Sequence, residues 1–125
     1  DADVLTHSVA DALLGALGED DIGTQFPDTE LLYKNIRSIE LLERVCAKMK
    51  TRGFSPVNID VTVIAQEPRL APYMESMKQN LARTLQIPMQ DIGLKAVNPE
   101  GIGAIGAGDG IAAMAIATLR GSNTS

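Results

Sequence analysis

Aromatic residues are scarce in this 125-residue chain, which has two tyrosines, two phenylalanines and no tryptophan. A core without large rings has to be built from aliphatic side chains. There is one cysteine, Cys46, so a disulfide framework is excluded and a reducing, cytoplasmic setting is favoured. Cys46 falls within a helical pattern and reads as a small buried hydrophobe. Neither an apolar run of 18 residues nor a signal-peptide pattern occurs, which argues against a membrane partner. Basic residues are outnumbered by acidic ones, 11 to 16, and the net charge of -5 disfavours a nucleic-acid surface. A net-negative protein that handles phosphates needs a bound cation or well-placed amides. Histidine is as scarce as cysteine: His7 stands alone. A catalytic zinc takes three protein ligands, so His7 is either structural or a ligand whose partners lie elsewhere. The chain does not start with methionine, and an N-terminal segment is expected to precede it.

What is present describes one folded domain over residues 1–125. Hydrophobic residues make up 45% of the chain, without low-complexity tracts, enough for a real core. Spacing predicts a helix over 3–18, with Ala10, Leu13 and Leu17 on its apolar face. Val4, His7, Ser8, Asp11, Leu14 and Gly15 share another flank. Residues 19–37 read as a loop, longer than a simple connection needs. Ser38 is a plausible N-cap for a helix to about Arg52, with Leu41, Leu42, Val45, Cys46 and Met49 inward and Gly53 as its stop. Residues 58–66 and 91–97 read as strands, separated by a helix from Pro72 to about Gln86. Residues 111–120 suit a helix by alanine content and a buried strand by alternation, and propensity does not separate the two. The sum is an α+β or α/β domain with a small sheet and helices on one face.

Four segments carry possible chemistry. Asp3 and His7 are four apart, so a carboxylate could orient the imidazole for a metal; a histidine beside a neighbouring acid is the plainer reading. The segment 21–30, Asp-Ile-Gly-Thr-Gln-Phe-Pro-Asp-Thr-Glu, combines a glycine that admits close approach with carboxylates for sugar hydroxyls or a cation, or is a solvated acidic turn. Residues 65–71 join a strand end to a helix start, where α/β proteins place ligands, and Arg69 could add charge for an anion. The glycine-rich stretch from Asn98 to Gly110 is neither a Walker A loop nor a dinucleotide fingerprint. Glu100 could hold Mg²⁺ against phosphate oxygens.

In their joint order these segments resemble the 2-C-methyl-D-erythritol 2,4-cyclodiphosphate synthases. The resemblance rests on Asp-Ala-Asp-Val-x-x-His (1–7), Asp11-Ala-Leu-Leu-Gly15, Asp-Ile-Gly-x-x-Phe-Pro-Asp-Thr (21–29), Ile64-Ala-Gln-x-Pro68, and Lys95-Ala96 before Glu100. It implies a mixed α+β fold of ferredoxin-like or chorismate-mutase-like build and a homotrimer with active sites between subunits. It also implies a plastid location if the source is a plant or alga. The reaction it implies is cyclisation of 4-diphosphocytidyl-2-C-methyl-D-erythritol 2-phosphate with release of CMP. Zn would sit at the His7 site, completed by an N-terminal Asp-x-His absent from this sequence, and Mg or Mn near Glu100. Asp21, Ile22, Gly23, Phe26, Pro27, Asp28, Thr29 and Glu30 would form the substrate loop. Ala65, Gln66, Glu67, Pro68, Arg69, Leu70 and Ala71 would line the cytidine pocket. Asn98 and Glu100 would be the catalytic pair, with Val97 and Pro99 in the same binding stretch.

Five positions depart from the family pattern. Val97-Asn98-Pro99-Glu100 stands where Thr-Thr-Thr-Glu is usual, Ala104 replaces an aromatic, and Ala107 replaces an arginine. A lost charged hydrogen bond to a diphosphate would cost about 1.5–3 kcal/mol. These departures motivate an alternative, a non-catalytic trimeric relative that binds a cytidine nucleotide or isoprenoid diphosphate. A third option is an unrelated phosphosugar enzyme of similar build.

Overall fold

The computed structural model describes residues 2–27, 37–65, 71–98 and 111–122. Helix α1, Ala2–Ala16, begins with Asp3 in its first turn, where a carboxylate suits the helix dipole. It ends where Gly18 turns into the left-handed region at φ +74°. Leu5, Val9, Ala10, Leu13, Leu14 and Leu17 are buried along it. Leu14 thus leaves the flank that its spacing from His7 assigns to it, while His7 and Asp11 stay exposed. The connection that follows contains one helical turn, α2, Ile22–Gln25.

Helix α3, Ser38–Thr51, buries Leu41, Leu42, Val45 and Met49. Its N-cap is Arg37, which makes no side-chain cap bond. The expected cap, Ser38, is already helical, and its hydroxyl donates to Asp3 Oδ1 at 2.6 Å. Gly53 stops the helix at φ +82° and turns the chain into β1, Phe54–Ala65. The strand starts earlier than the sequence predicts because Pro56 sits at a register irregularity between Pro56 and Asn58. A proline is tolerated at such a bulge. A 3-10 turn at Ala71–Tyr73 holds Pro72 and leads into α4, Met74–Leu85. Strand β2 is Ile92–Val97, and β3 is Ile111–Gly121. The alanine-rich tail is therefore a strand.

The sheet has the order β2-β1-β3, with β2 parallel and β3 antiparallel to β1. Ile59, Val61 and Val63 of β1 are buried and join Leu5, Val9, Leu13, Leu42, Val45, Leu81 and Leu85 in one core. Ala113, Ala115 and Ala117 pack against that core, and small side chains there let α1 approach β3 closely. The alternate residues face away from the helices, leaving Met114 66% and Ile116 71% exposed. The result is an α+β layer with helices on one face and an open sheet face on the other. Cys46 packs at the core edge, and burial, with the nearby Glu43 charge, pushes its thiol up to about 11. The cysteine is a protonated, hydrophobic filler at neutral pH. No helix among the described residues is long and apolar enough to cross a membrane.

Candidate functional site

Strand register decides which predicted segments can meet. Parallel pairing runs from Ile59↔Ile92 to Ile64↔Val97, so β1 and β2 end together. Antiparallel pairing places Ile111, the first residue of β3, opposite Ala65, the last of β1. The segments leaving Ala65 and Val97 and the one arriving at Ile111 therefore all attach to one end of the sheet. In open sheets that carboxyl end is where ligands bind. Val97 and Asn98 are exposed there.

Three hydrogen bonds orient the helices relative to that end. Leu17 O and Glu19 Oε2 both accept from Arg52 Nη1 at 2.8 Å, at the finish of α3. Asp3 accepts from Ser38 at the start of α3. Helix α1 thus runs alongside α3 in the same direction. A short turn at Gly53 reverses α3 into β1, so the first turns of both helices point toward the carboxyl ends of β1 and β2. His7 lies one turn past Asp3, exposed on α1.

The loop segment is tied to the same helix. Asp11 Oδ1 accepts the Ile22 N–H at 2.7 Å, and Asp21 Oδ1 accepts the Thr24 N–H at 2.9 Å as the N-cap of α2. The hydrogen bonds Thr24 offers, from its side chain first and its backbone second, hold the Asp21 carboxyl below the usual carboxylate range. Asp21 and Gly23 are exposed, and Phe26 and Pro27 are half-buried. His7, Asp11, Ile22 and Asp21 consequently form one connected edge of the molecule.

Both carboxylates on the His7 side of α1 take partners from other elements. Sequence spacing makes Asp3 a candidate to orient the imidazole, whereas its Oδ1 takes the Ser38 hydroxyl. Asp11 takes a backbone amide. Both partners are remote in sequence, so spacing along α1 could not reveal them. Among the described residues no three His, Cys, Asp or Glu side chains gather into a group that could hold a metal. His7 is thus a single donor, and a zinc there needs its other ligands from beyond these residues. Asp28, Thr29, Glu30, Gln66, Glu67, Pro68, Arg69, Leu70, Pro99, Glu100, Ala104 and Ala107 lie outside the described residues. Of Ala71, only the backbone is described.

Comparison with known proteins agrees with this arrangement of segments. Residues 1–120 match the model of the YgbB family, and the chain belongs to that family. It is 50% identical over 120 residues to a protein of Desulforamulus reducens named 2-C-methyl-D-erythritol 2,4-cyclodiphosphate synthase, covering 96% of this chain and 76% of the relative. A Halothermothrix orenii protein of the same name is 50% identical over 119 residues, covering 95% and 72%. The fold superposes on the bifunctional IspDF of Campylobacter jejuni with TM-score 0.88 and 41% identity, covering 94% of this chain and 32% of that one. It matches a Plasmodium falciparum IspF–CDP complex with TM-score 0.84 and 32% identity, covering 96% and 72%.

Proposed function

We propose that this chain cyclises 4-diphosphocytidyl-2-C-methyl-D-erythritol 2-phosphate to the 2,4-cyclodiphosphate, acting as a phosphorus–oxygen lyase of the non-mevalonate isoprenoid route. The observation that carries the reading is the shared sheet end at Ala65, Val97 and Ile111, in a chain half identical to named synthases. In the reaction a 2-phosphate oxygen bonds to the β-phosphorus, and the bond from that phosphorus to the bridging oxygen breaks. CMP leaves with the electron pair of that oxygen. No water is consumed and no protein nucleophile is required, so the protein's work is positioning and charge neutralisation.

Each segment has a task in this reading. Asp21 and the Gly23 backbone take the erythritol hydroxyls, and residues 65–71 take the cytidine. Asn98 holds a phosphate oxygen beside Glu100. Divalent cations, zinc with His7 as one donor and magnesium or manganese at Glu100, supply charge neutralisation that a chain of net charge -5 cannot supply alone. The exposed Met114, Ile116 and Val97 on the helix-free sheet face support burial against further copies in a homotrimer.

Supplying the substrate with Zn²⁺ and Mg²⁺ tests the reading, with CMP and the cyclodiphosphate expected in equal amounts. Absence of CMP release with both metals present overturns it. One observation favours a second reading: Val97, without a hydrogen-bonding group, is 46% exposed at the sheet end where the resemblance expects a threonine. A non-catalytic relative would bind CDP and release no CMP.

A further inference from the structure

Three carboxylate-bearing or imidazole positions lie one turn apart on the exposed side of α1: Asp3, His7 and Asp11. Each carboxylate is engaged by a group from a different element. Asp11 Oδ1 accepts the Ile22 N–H at 2.7 Å, which lies between Asp21 and Gly23. Asp3 Oδ1 accepts the Ser38 hydroxyl at 2.6 Å, across 35 residues of sequence. Ser38 is only 9% exposed and Asp3 is exposed, so this second bond is partly buried, and a hydrogen bond to an ionised acceptor is the stronger kind. Asp21 in turn is oriented as the cap of α2 through the Thr24 N–H.

We propose that Asp11 and Asp3 are positioning residues that flank His7. Asp11 docks the Asp21–Gly23 backbone onto α1, and Asp3 with Ser38 docks α1 onto α3. The separation between the His7 imidazole and the Asp21 carboxylate is then set by the Asp11–Ile22 link, and the Asp3–Ser38 link sets where α1 carries His7 relative to α3. A helix holds residues four apart at a rise of about 6 Å, so a slip of the Asp11–Ile22 link shifts Asp21 relative to the imidazole, and a slip of the Asp3–Ser38 link shifts the imidazole relative to α3. This inference rests on the proposed roles of Asp21 toward the substrate and of His7 toward zinc. It assigns neither carboxylate to a metal or to the substrate.

The test uses the native protein, with CMP release for kinetics and backbone amide exchange at Ile22 as a readout independent of turnover. Asp11→Ala should speed exchange at Ile22 and raise KM about tenfold, the loss of one charge-assisted hydrogen bond at an exposed site, while kcat stays within about threefold. Asp11→Asn keeps an oxygen acceptor and should recover most of both. Ser38→Ala should raise KM less and leave Ile22 exchange unchanged. Ser38→Thr should restore it, because Ser38 lines a cavity of about 310 Å³ with room for a methyl group. Unchanged KM and unchanged Ile22 exchange in Asp11→Ala would overturn the proposal. So would a lowered melting temperature with wild-type KM, which marks a merely structural role. Asp11→Asn as damaging as Asp11→Ala would make Asp11 a direct ligand and also overturn it. Should the wild-type protein release no CMP, the functional reading falls, and the exchange measurement still decides whether Asp11 docks Ile22.

Discussion

At the start of β1 the molecule is closed by side chains that pair with one another, whereas at the end of β1 the chain departs through Ala65, Val97 and Ile111 toward the proposed ligand segments. The closed end centres on Glu19. Its carboxylate receives Arg52 at 2.8 Å and Lys48 at 3.3 Å, and Lys48 also donates to Gln25 Oε1 at 2.7 Å. Arg52 lies 5.8 Å from the centre of the Phe54 ring, and Gly53 O accepts the Ser122 N–H, which holds the end of β3. Toward the other end, exposed polar groups such as Asn98 and His7 face outward. In the proposed reading, stability and chemistry belong to opposite ends of one short sheet, and substitutions at the two ends should separate cleanly.

The largest expected effect belongs to the ligand end. Glu100→Ala should lower kcat for CMP release by about a hundredfold or more, as for loss of one group that neutralises developing charge, with the urea midpoint unmoved. A large loss of stability in that variant would erase the distinction between the ends. At the closed end, Gly53→Ala forces a side chain into φ +82° and brings its Cβ to 2.7 Å from Ser122 Oγ. That hydroxyl can rotate away, so the backbone conformation dominates, at about 1–2 kcal/mol in urea unfolding. KM should stay at the wild-type value. Arg52→Ala removes the bond to Leu17 O and the contact with Phe54, for about 1 kcal/mol, again without a kinetic signature.

The smallest effect is electrostatic. Hydrogen bonding from Lys48, opposed by desolvation and aided by the Lys48 and Arg52 charges, holds the Glu19 carboxyl below its ordinary value of 4.5. A carboxyl lowered in the folded state stabilises above its unfolded value and loses that contribution as pH falls through the folded one. Wild type should therefore melt above Glu19→Gln at pH 7, and the gap should shrink as pH falls below 4.5 and close once the folded carboxyl is protonated. A gap that does not shrink as pH falls would assign the Glu19 contribution to packing.

Much of the fold is legible in residue order, and the exceptions have specific causes. The periodicity of α1 and α3 and the stop at Gly53 follow from local rules. The tail is ambiguous because its usual burial pattern is inverted: Ala113, Ala115 and Ala117 face the helices and the larger Met114 and Ile116 face out. The start of β1 is hidden by Pro56, which local propensity counts against a strand and a bulge accommodates. At the site, the segment order identifies the chemistry, and strand register explains how segments from three parts of the sequence reach one edge. The links from Asp11 to Ile22 and from Asp3 to Ser38 span 11 and 35 positions. Helical spacing shows only that these carboxylates share a face with His7, and folding supplies their partners.

The outward-facing Met114 provides a chemical clock for assembly. A thioether open to solvent is oxidised by peroxide, while one held inside a packed core is protected. Met114 belongs to the first kind in the isolated chain, and Met49 and Met77, at 3% and 8% exposure, to the second. The ratio of sulfoxide at Met114 to that at Met49, followed by mass spectrometry as protein concentration rises, reports what fraction of chains has this sheet face covered.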